Sequence, residues 1–149
     1  MNNFDKLYLS INLLIDISEE VQKKQILNKQ YLSPTSWAKE FCTLKISTSR
    51  GTGHTSCIKK LIEDRFNKNV ILLFPSVNFL NNFKYQLKEK PSYPILNINC
   101  NLRGIELSNK QAIIIDNSCF LSSQKINTIY SCFGMGVENK NPFFFIFVQ

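Results

Sequence analysis

The sequence is poor in the side chains that metal sites and nucleophilic active sites usually need. It contains one histidine, His54, and its five cysteines form neither a Cys-x-x-Cys pair nor another spacing typical of zinc sites. No Ser-His-Asp or Cys-His arrangement is supported, because the only histidine lies inside a glycine-containing loop. The odd number of cysteines disfavours a complete disulfide framework, so we expect buried thiols in a reducing cytosol.

Long hydrophobic runs and low-complexity segments are also absent. The apolar stretch LYLSINLLIDI is interrupted by Ser10, Asn12 and Asp16, and no small-residue cleavage site follows it. It is too short to cross a bilayer. With 149 residues, 44% hydrophobic and 19% charged residues, the composition is that of a globular protein of one domain. We therefore expect a single cytoplasmic domain, residues 1–149, without a membrane partner.

Acidic residues are outnumbered by basic ones, 11 against 18, which gives a net charge of +7. A basic protein favours acidic partners such as nucleic acid or nucleotides. The lysines are spread along the chain, however, and the alternative is that they form solvated helix faces. Because no cluster of aromatic and basic residues is recognisable, we expect at most weak nucleic-acid binding that decreases as salt is raised.

Two helices are predicted before the first strand, in residues 1–41. Helical spacing of apolar residues predicts an amphipathic helix over residues 5–28 that lies on the core, with the inward positions Leu7, Ile11, Leu14, Ile17 and Val21. Ser33 followed by Pro34 predicts the start of a short second helix that continues through Trp37 and Phe41.

Strands and helices then alternate in an α/β core, residues 42–149. Apolar segments predict strands at 43–48, 69–74, 94–99, 111–117 and 142–149, with 94–99 at an edge. Helices are predicted over 54–66 and over 122–133. A further helix is predicted to begin after the capping Ser76, with Val77 and Leu87 facing inward. Right-handed crossovers between such strands give a mainly parallel sheet between two helical layers, a three-layer sandwich. Ligands of these sheets bind at the carboxyl ends of the strands.

A candidate phosphate-binding loop lies at such an end, between the first strand and the next helix. Gly51 and Gly53 allow the positive φ angles and the close backbone approach that a phosphate cradle needs. Thr55 and Ser56 place hydroxyls in the first helical turn, where a phosphate-bound magnesium takes one as ligand. The predicted nucleotide-binding residues are Ser49, Arg50, Gly51, Thr52, Gly53, His54, Thr55 and Ser56.

Over residues 41–149 the chain resembles a P-loop NTPase, and more closely the ATPase cores of large phage terminases and helicases. Their loops often read Ser-Arg-x-x-Gly-Lys-Thr, which is similar to residues 49–55, and AIIIDN resembles their Walker B strand. The resemblance implies ATP and Mg²⁺ as cofactors, with Thr55 and Asp116 as metal ligands. It also implies a phage or mobile-element protein that works in the host cell cytoplasm.

The chain departs from the family pattern at the positions that carry the chemistry. In G-x-x-x-x-G-K-[ST] the first glycine falls on Thr48 and the lysine on His54, and a neutral imidazole donates at most one hydrogen bond. Arg50 is the candidate replacement cation. Asn117 follows Asp116 at the position of the glutamate that activates water, and an amide cannot accept the proton. Asp116 and Asn117 are thus the candidate catalytic positions.

Two functions follow, and a purely structural alternative stays open. The first is a degenerate P-loop module that binds nucleotide, phosphate or nucleic acid with little or no hydrolysis, as a phage regulator acting on a protein partner or as a homo-oligomer. The second is a slow ATPase in phage DNA metabolism or packaging. In the structural alternative, Gly51 and Gly53 make only a tight strand-to-helix turn, and Asp116 only caps the following turn.

Overall fold

The computed structural model describes residues 1–49, 51–137 and 139–149 and contains one five-stranded sheet. The strands are β1 Thr43–Ile46, β2 Val70–Phe74, β3 Ile95–Asn97, β4 Ala112–Ile115 and β5 Phe144–Val148. Their order is β1-β5-β4-β2-β3, and every neighbouring pair is parallel. The predicted parallel sheet is confirmed, with β3 at one edge and β1 at the other.

Helices cover both faces of the sheet. They are α1 Asn3–Lys24, α2 Pro34–Phe41, α3 His54–Lys60, α4 Val77–Tyr85 and α5 Ser123–Phe133. A π-helical turn, Leu61–Arg65, continues α3, and short 3₁₀ segments lie at Ile26–Tyr31, Ser118–Phe120 and Met135–Val137. One core cluster packs α1, α3 and α4 against the sheet, and a second packs α2 and α5 against the opposite face. The architecture is therefore the expected three-layer α/β sandwich.

The local signals in the sequence explain most of these elements. Every residue of β2, β4 and β5 is buried, as expected of apolar strands that are covered on both sides. Ser33 and Ser76 cap α2 and α4, since their hydroxyls accept hydrogen bonds from the backbone N–H three residues later. Val77, predicted to face inward, is 52% exposed because it occupies the first turn of α4.

The orientation of α1 differs in part from the sequence prediction, which is confirmed for Leu7 and Ile11. Leu14, Ile17 and Val21 are 42%, 49% and 39% exposed, although apolar spacing predicts that they face the core. The helix ends at Lys24, and its buried residues are Leu7, Ile11, Ile15, Ser18 and Gln22. The buried row includes two polar residues because their side chains bond to the backbone of the core.

α1 contacts α3 and the π-helical turn that continues it at several points along its length. At its first turn, Phe4 lies beside the start of α3, and a Cβ added to Gly53 would stand 3.5 Å from the Cβ and Cδ2 of Phe4. Further along, Arg65 at the end of the π-helical turn pairs with Asp16 at 2.7 Å. Since both helices run from the carboxyl edge of the sheet towards its amino edge, α1 reaches the loop that precedes α3.

Gln22 satisfies both backbone groups of Phe143 inside the core. Its Nε2 donates to the carbonyl oxygen at 2.9 Å, and its Oε1 accepts from the N–H at 3.2 Å. We expect Gln22→Ala to lower the free energy of unfolding by about 2–5 kcal/mol, because two buried backbone groups lose their partners. Urea unfolding measures this loss, with Lys23→Ala as the exposed control. A loss no larger than that of the control would contradict the structural role of Gln22.

The cysteines are all free thiols. Cys42 and Cys57 are buried as expected, whereas Cys119 is exposed. In the part of the chain that the structure describes, no helix combines the length and the apolar character needed to span a membrane.

Candidate functional site

The candidate loop and Asp116 lie at the same edge of the sheet. The loop, residues 47–53, leaves the carboxyl end of β1, and Asp116 follows the carboxyl end of β4. The strand register sets Asp116 level with Val148 of β5, which itself pairs with Ile46. Because β5 separates β1 from β4, the two strand ends stand roughly 10 Å apart, which is two strand spacings.

The loop has the backbone conformation expected from its glycines. Gly51 and Gly53 have φ angles of +80° and +86°, which residues with a side chain rarely adopt. Gly53 caps α3 through its backbone alone, and the first helical hydrogen bond runs from the N–H of Cys57 to the carbonyl of Gly53. The N–H groups of residues 54–56 therefore precede the helical ladder and are available as donors.

The two positions at which the loop departs from the P-loop pattern contact each other. Nε2 of His54 is hydrogen-bonded to the hydroxyl of Thr48. The same hydroxyl lies 2.7 Å from the hydroxyl of Thr52, which in turn donates to the carbonyl oxygen of Ser49 at 2.9 Å. The imidazole thus bonds to hydroxyls of the loop itself.

Charge at the loop differs from that of a lysine-containing phosphate loop. Burial lowers the pKa of His54 from its ordinary value of 6.5, so its ring is neutral at pH 7. Residues 47–49 and 51–53, the loop positions that the structure describes, include no lysine or arginine. The prediction that Arg50 supplies a replacement cation concerns a residue outside the described ones.

Asp116 is a buried carboxylate that directly follows β4. Its side chain is 4% exposed, and its Oδ1 accepts one hydrogen bond, from the N–H of Asn117 at 2.8 Å. Among the described residues it forms no ion pair. Burial raises the pKa of Asp116 to about 6, although the hydrogen bond from Asn117 partly opposes the shift. A buried carboxylate of this kind is costly to keep charged, which is typical of functional positions.

Asn117 begins the turn that holds Asp116 in place. It adopts a left-handed conformation, with a φ of 52°, at the start of the 3₁₀ segment. The next residue, Ser118, is buried, and its hydroxyl donates to the carbonyl oxygen of Val148 at 3.1 Å. The turn after β4 is thereby tied to the end of β5.

The residues present suit a nucleotide-bound magnesium better than a metal held by protein alone. No group of three or more His, Cys, Asp and Glu side chains gathers within the described ranges. Magnesium in nucleotide sites takes one or two protein ligands and completes its shell with phosphate oxygens and water. Asp116 and the partly buried Thr55 offer a carboxylate and a hydroxyl of the required kinds.

The sequence predicts which residues form the candidate site, but it does not predict two contacts within and beside the loop. The Thr48–His54 bond depends on the loop conformation, and its only sequence signal is that both positions break the same pattern. The approach of Phe4 to Gly53 has no signal in the sequence, since the two residues lie on different elements.

Comparisons of the chain with models of known protein families, with curated proteins and with solved structures found no significant match. The resemblance to P-loop NTPases therefore stays a prediction that rests on the motifs of the sequence.

Proposed function

We propose that the carboxyl edge of the sheet binds a magnesium-bound nucleoside triphosphate with little or no hydrolysis. The observation that carries the proposal is the position of Asp116, which is buried and forms no ion pair with any described residue, at the same edge as a loop with two positive-φ glycines. The N–H groups at the start of α3 would contact phosphate oxygens. Thr55 and Asp116 would hold Mg²⁺, which neutralises phosphate charge when bound.

Weak turnover follows from the side chains at two positions. A neutral His54 that bonds to Thr48 offers no positive charge to the transferring phosphoryl group. Asn117 can orient a water molecule, but an amide accepts no proton from it. In an active enzyme the loss of one such transition-state contact costs about 3–4 kcal/mol.

Such a module would act as a regulator or accessory protein whose surface depends on bound nucleotide. The resemblance to terminase and helicase cores suggests a phage DNA process, and the net charge of +7 favours contact with nucleic acid.

A slow ATPase is the second candidate, and the electrostatics of Asp116 favour it. A carboxylate whose pKa is raised to about 6 is closer to the working pH than an ordinary aspartate. Groups of this kind are effective proton acceptors. Asp116 would then replace the missing glutamate as the base, at the expense of its role as a metal ligand.

Calorimetry with magnesium-ATP, magnesium-ADP and a non-hydrolysable analogue, combined with a phosphate-release assay, separates these functions. We expect binding by the natural chain without phosphate release, and a loss of affinity of at least about tenfold in Asp116→Ala, since a charged contact to the metal is removed. Asp64→Ala, an exposed carboxylate near the opposite end of the sheet, is the matched control and should bind normally. Phosphate release that Asp116→Ala abolishes would support the ATPase instead. Absence of nucleotide binding by the natural chain would contradict both functions.

A further inference from the structure

The outer edge of β1 carries backbone groups without partners. β1 lies at one edge of the sheet and pairs only with β5. The N–H of Gln149, which follows β5, donates to the carbonyl oxygen of Ile46, so the backbone groups of Ile46 point towards β5. Alternate residues of a strand point their backbone groups to opposite sides. The N–H and C=O of Lys45 therefore face outward, and no residue that the structure describes pairs with either group.

A groove of about 490 Å³ lies beside this edge, between β1 and α1. Its wall on α1 is the flank that faces away from α3, because Leu14 lies about 160° around the helix from Asp16, which pairs with Arg65. Its apolar surface comes from four side chains, Leu7, Ile11, Leu14 and Ile46. We refer to these four residues together with Lys45 as the edge groove.

The edge groove fits an extended chain better than a helix or a small molecule. A strand that is added to β1 supplies an acceptor and a donor for the outward groups of Lys45, whereas the backbone of a helix has none to offer. Successive side chains of such a strand alternate between the two faces of the sheet. Since Ile46 packs in the same core cluster as α1, every second side chain would lie against Leu14.

The charges at the edge groove favour an acidic chain. Lys6 and Lys45 line the groove and are exposed, and the lining includes no acidic side chain among the described residues. Neither lysine forms an ion pair with a residue that the structure describes. Two copies of this chain that paired edge to edge would bring their Lys45 side chains to the same face of the joined sheet, where they repel.

We propose that an extended, acidic segment of a partner protein adds to the edge of β1 as a sixth strand. Its apolar side chains lie in the edge groove, and the carboxylates that alternate with them face Lys45. In strand additions of this kind, main-chain hydrogen bonds provide affinity and the alternate side chains provide specificity. The edge groove adjoins the loop at Thr48 and Thr52. It requires no bound nucleotide, so the inference goes beyond the proposed function and is tested without it.

A blocked heptapeptide of alternating glutamate and valine, added without nucleotide up to millimolar concentration, is the probe. We expect the backbone amide NMR signals of Lys45 and Ser47 to shift along one binding curve. The amide hydrogen of Lys45 should also exchange more slowly, because it gains an acceptor. Two matched peptides should bind about tenfold more weakly or not at all: one with lysine in place of glutamate, and one whose backbone nitrogens are methylated and cannot donate.

Two variants at exposed positions test the side-chain contacts. Lys45→Glu should weaken binding of the Glu-Val peptide about fivefold to tenfold and strengthen binding of the Lys-Val peptide, since opposite charges become like charges and the reverse. Leu14→Ser should weaken binding of the Glu-Val peptide about fivefold, because part of the apolar contact is lost. Leu9→Ser, at an exposed position on the other side of α1, is the control and should bind normally.

Four results would overturn the proposal. One is that the signals of Lys45 and Ser47 stay unchanged at millimolar Glu-Val peptide. Another is that the methylated peptide binds as well as the unmethylated one. The third is a Lys45→Glu variant with the same preference between the two charged peptides as the natural chain. The last is a natural chain that forms dimers in which the Lys45 amide is protected, because a second copy would then occupy the edge.

Discussion

Replacing Thr48 with glycine and His54 with lysine together should tighten magnesium-ATP binding by roughly tenfold to a hundredfold. A cation beside a polyphosphate in a partly desolvated loop contributes on the order of 1–3 kcal/mol. The two changes belong together because the imidazole of His54 is bonded to the hydroxyl of Thr48. Calorimetry of the double variant against the natural chain measures the gain.

The single variants show whether the two residues act as a unit. His54→Lys alone should gain less than the double variant, since the Thr48 hydroxyl and side chain still occupy the first-glycine position. Residues in direct contact commonly show coupling of about 0.5–3 kcal/mol in a double-mutant cycle. Asn109→Lys, which adds the same charge at an exposed position before β4, is the control for general charge effects. Undetectable affinity in every variant would mean that the loop is only a strand-to-helix turn.

Unlike nucleotide affinity, hydrolysis should depend on residue 117 as well as on residue 54. His54→Lys should raise phosphate release little, because Asn117 still provides no proton acceptor. His54→Lys combined with Asn117→Glu should give measurable turnover, since it supplies both the charge and the base. Turnover in the combination but in neither single variant is the expected pattern. If His54→Lys alone hydrolysed ATP as fast as the combined variant, the proton acceptor would be a group other than residue 117.

Asp116→Asn should stabilise the protein at pH 7.5 by about 2–3 kcal/mol. An unfolded aspartate has a pKa near 3.9, and burial raises the pKa of Asp116 to about 6 in the folded state. The folded protein therefore binds the proton more tightly, and its stability falls as pH rises from about 4 to about 6. Asparagine keeps the acceptor for the N–H of Asn117 and removes the buried charge.

Urea unfolding of both proteins across this pH range measures the effect. The stability difference should be small at pH 4 and constant above about pH 7. His54 contributes in the opposite direction, because a lowered pKa makes stability fall as pH drops below about 6.5. Its contribution is common to both proteins and cancels in the difference. Asp64→Asn is the exposed control, and a destabilised Asp116→Asn would show that the carboxylate has a favourable partner.

The strands were predictable because their signals are local. The cores of β2, β4 and β5 are continuous apolar runs, and serines mark the starts of the helices that follow Leu32 and Pro75. Such signals need no knowledge of distant residues. The parallel pairing then follows from the helical crossovers between strands.

The inner face of α1 was only partly predictable from apolar spacing, which placed Leu7 and Ile11 correctly. The helix carries two apolar rows, one through Leu7 and Ile11 and the other through Leu13 and Ile17, and periodicity alone does not rank them. The buried row is completed by Ser18 and Gln22, whose side chains bond to backbone carbonyls of Phe41 and Phe143. Hydrogen bonds to distant backbone groups decide the orientation, and they leave no periodic pattern.

The candidate site was predictable in position but not in its internal contacts. The motif order placed the loop and Asp116 at one edge of the sheet, because both follow parallel strands. The bond between His54 and Thr48 requires the turn made by Gly51 and Gly53, and the burial of Asp116 requires the packed turn after β4. Both features depend on tertiary structure.

The most direct measurement is the change in backbone amide NMR signals when magnesium-ATP is added to the natural chain. Nucleotide binding at the proposed edge should shift the signals of Gly51, Gly53 and Thr55 together with that of Asn117. The two groups of signals should follow one binding curve, since one ligand spans both strand ends. Signals that stay unchanged at saturating nucleotide, or that shift only on surfaces away from this edge, would contradict a nucleotide site formed by the loop and Asp116.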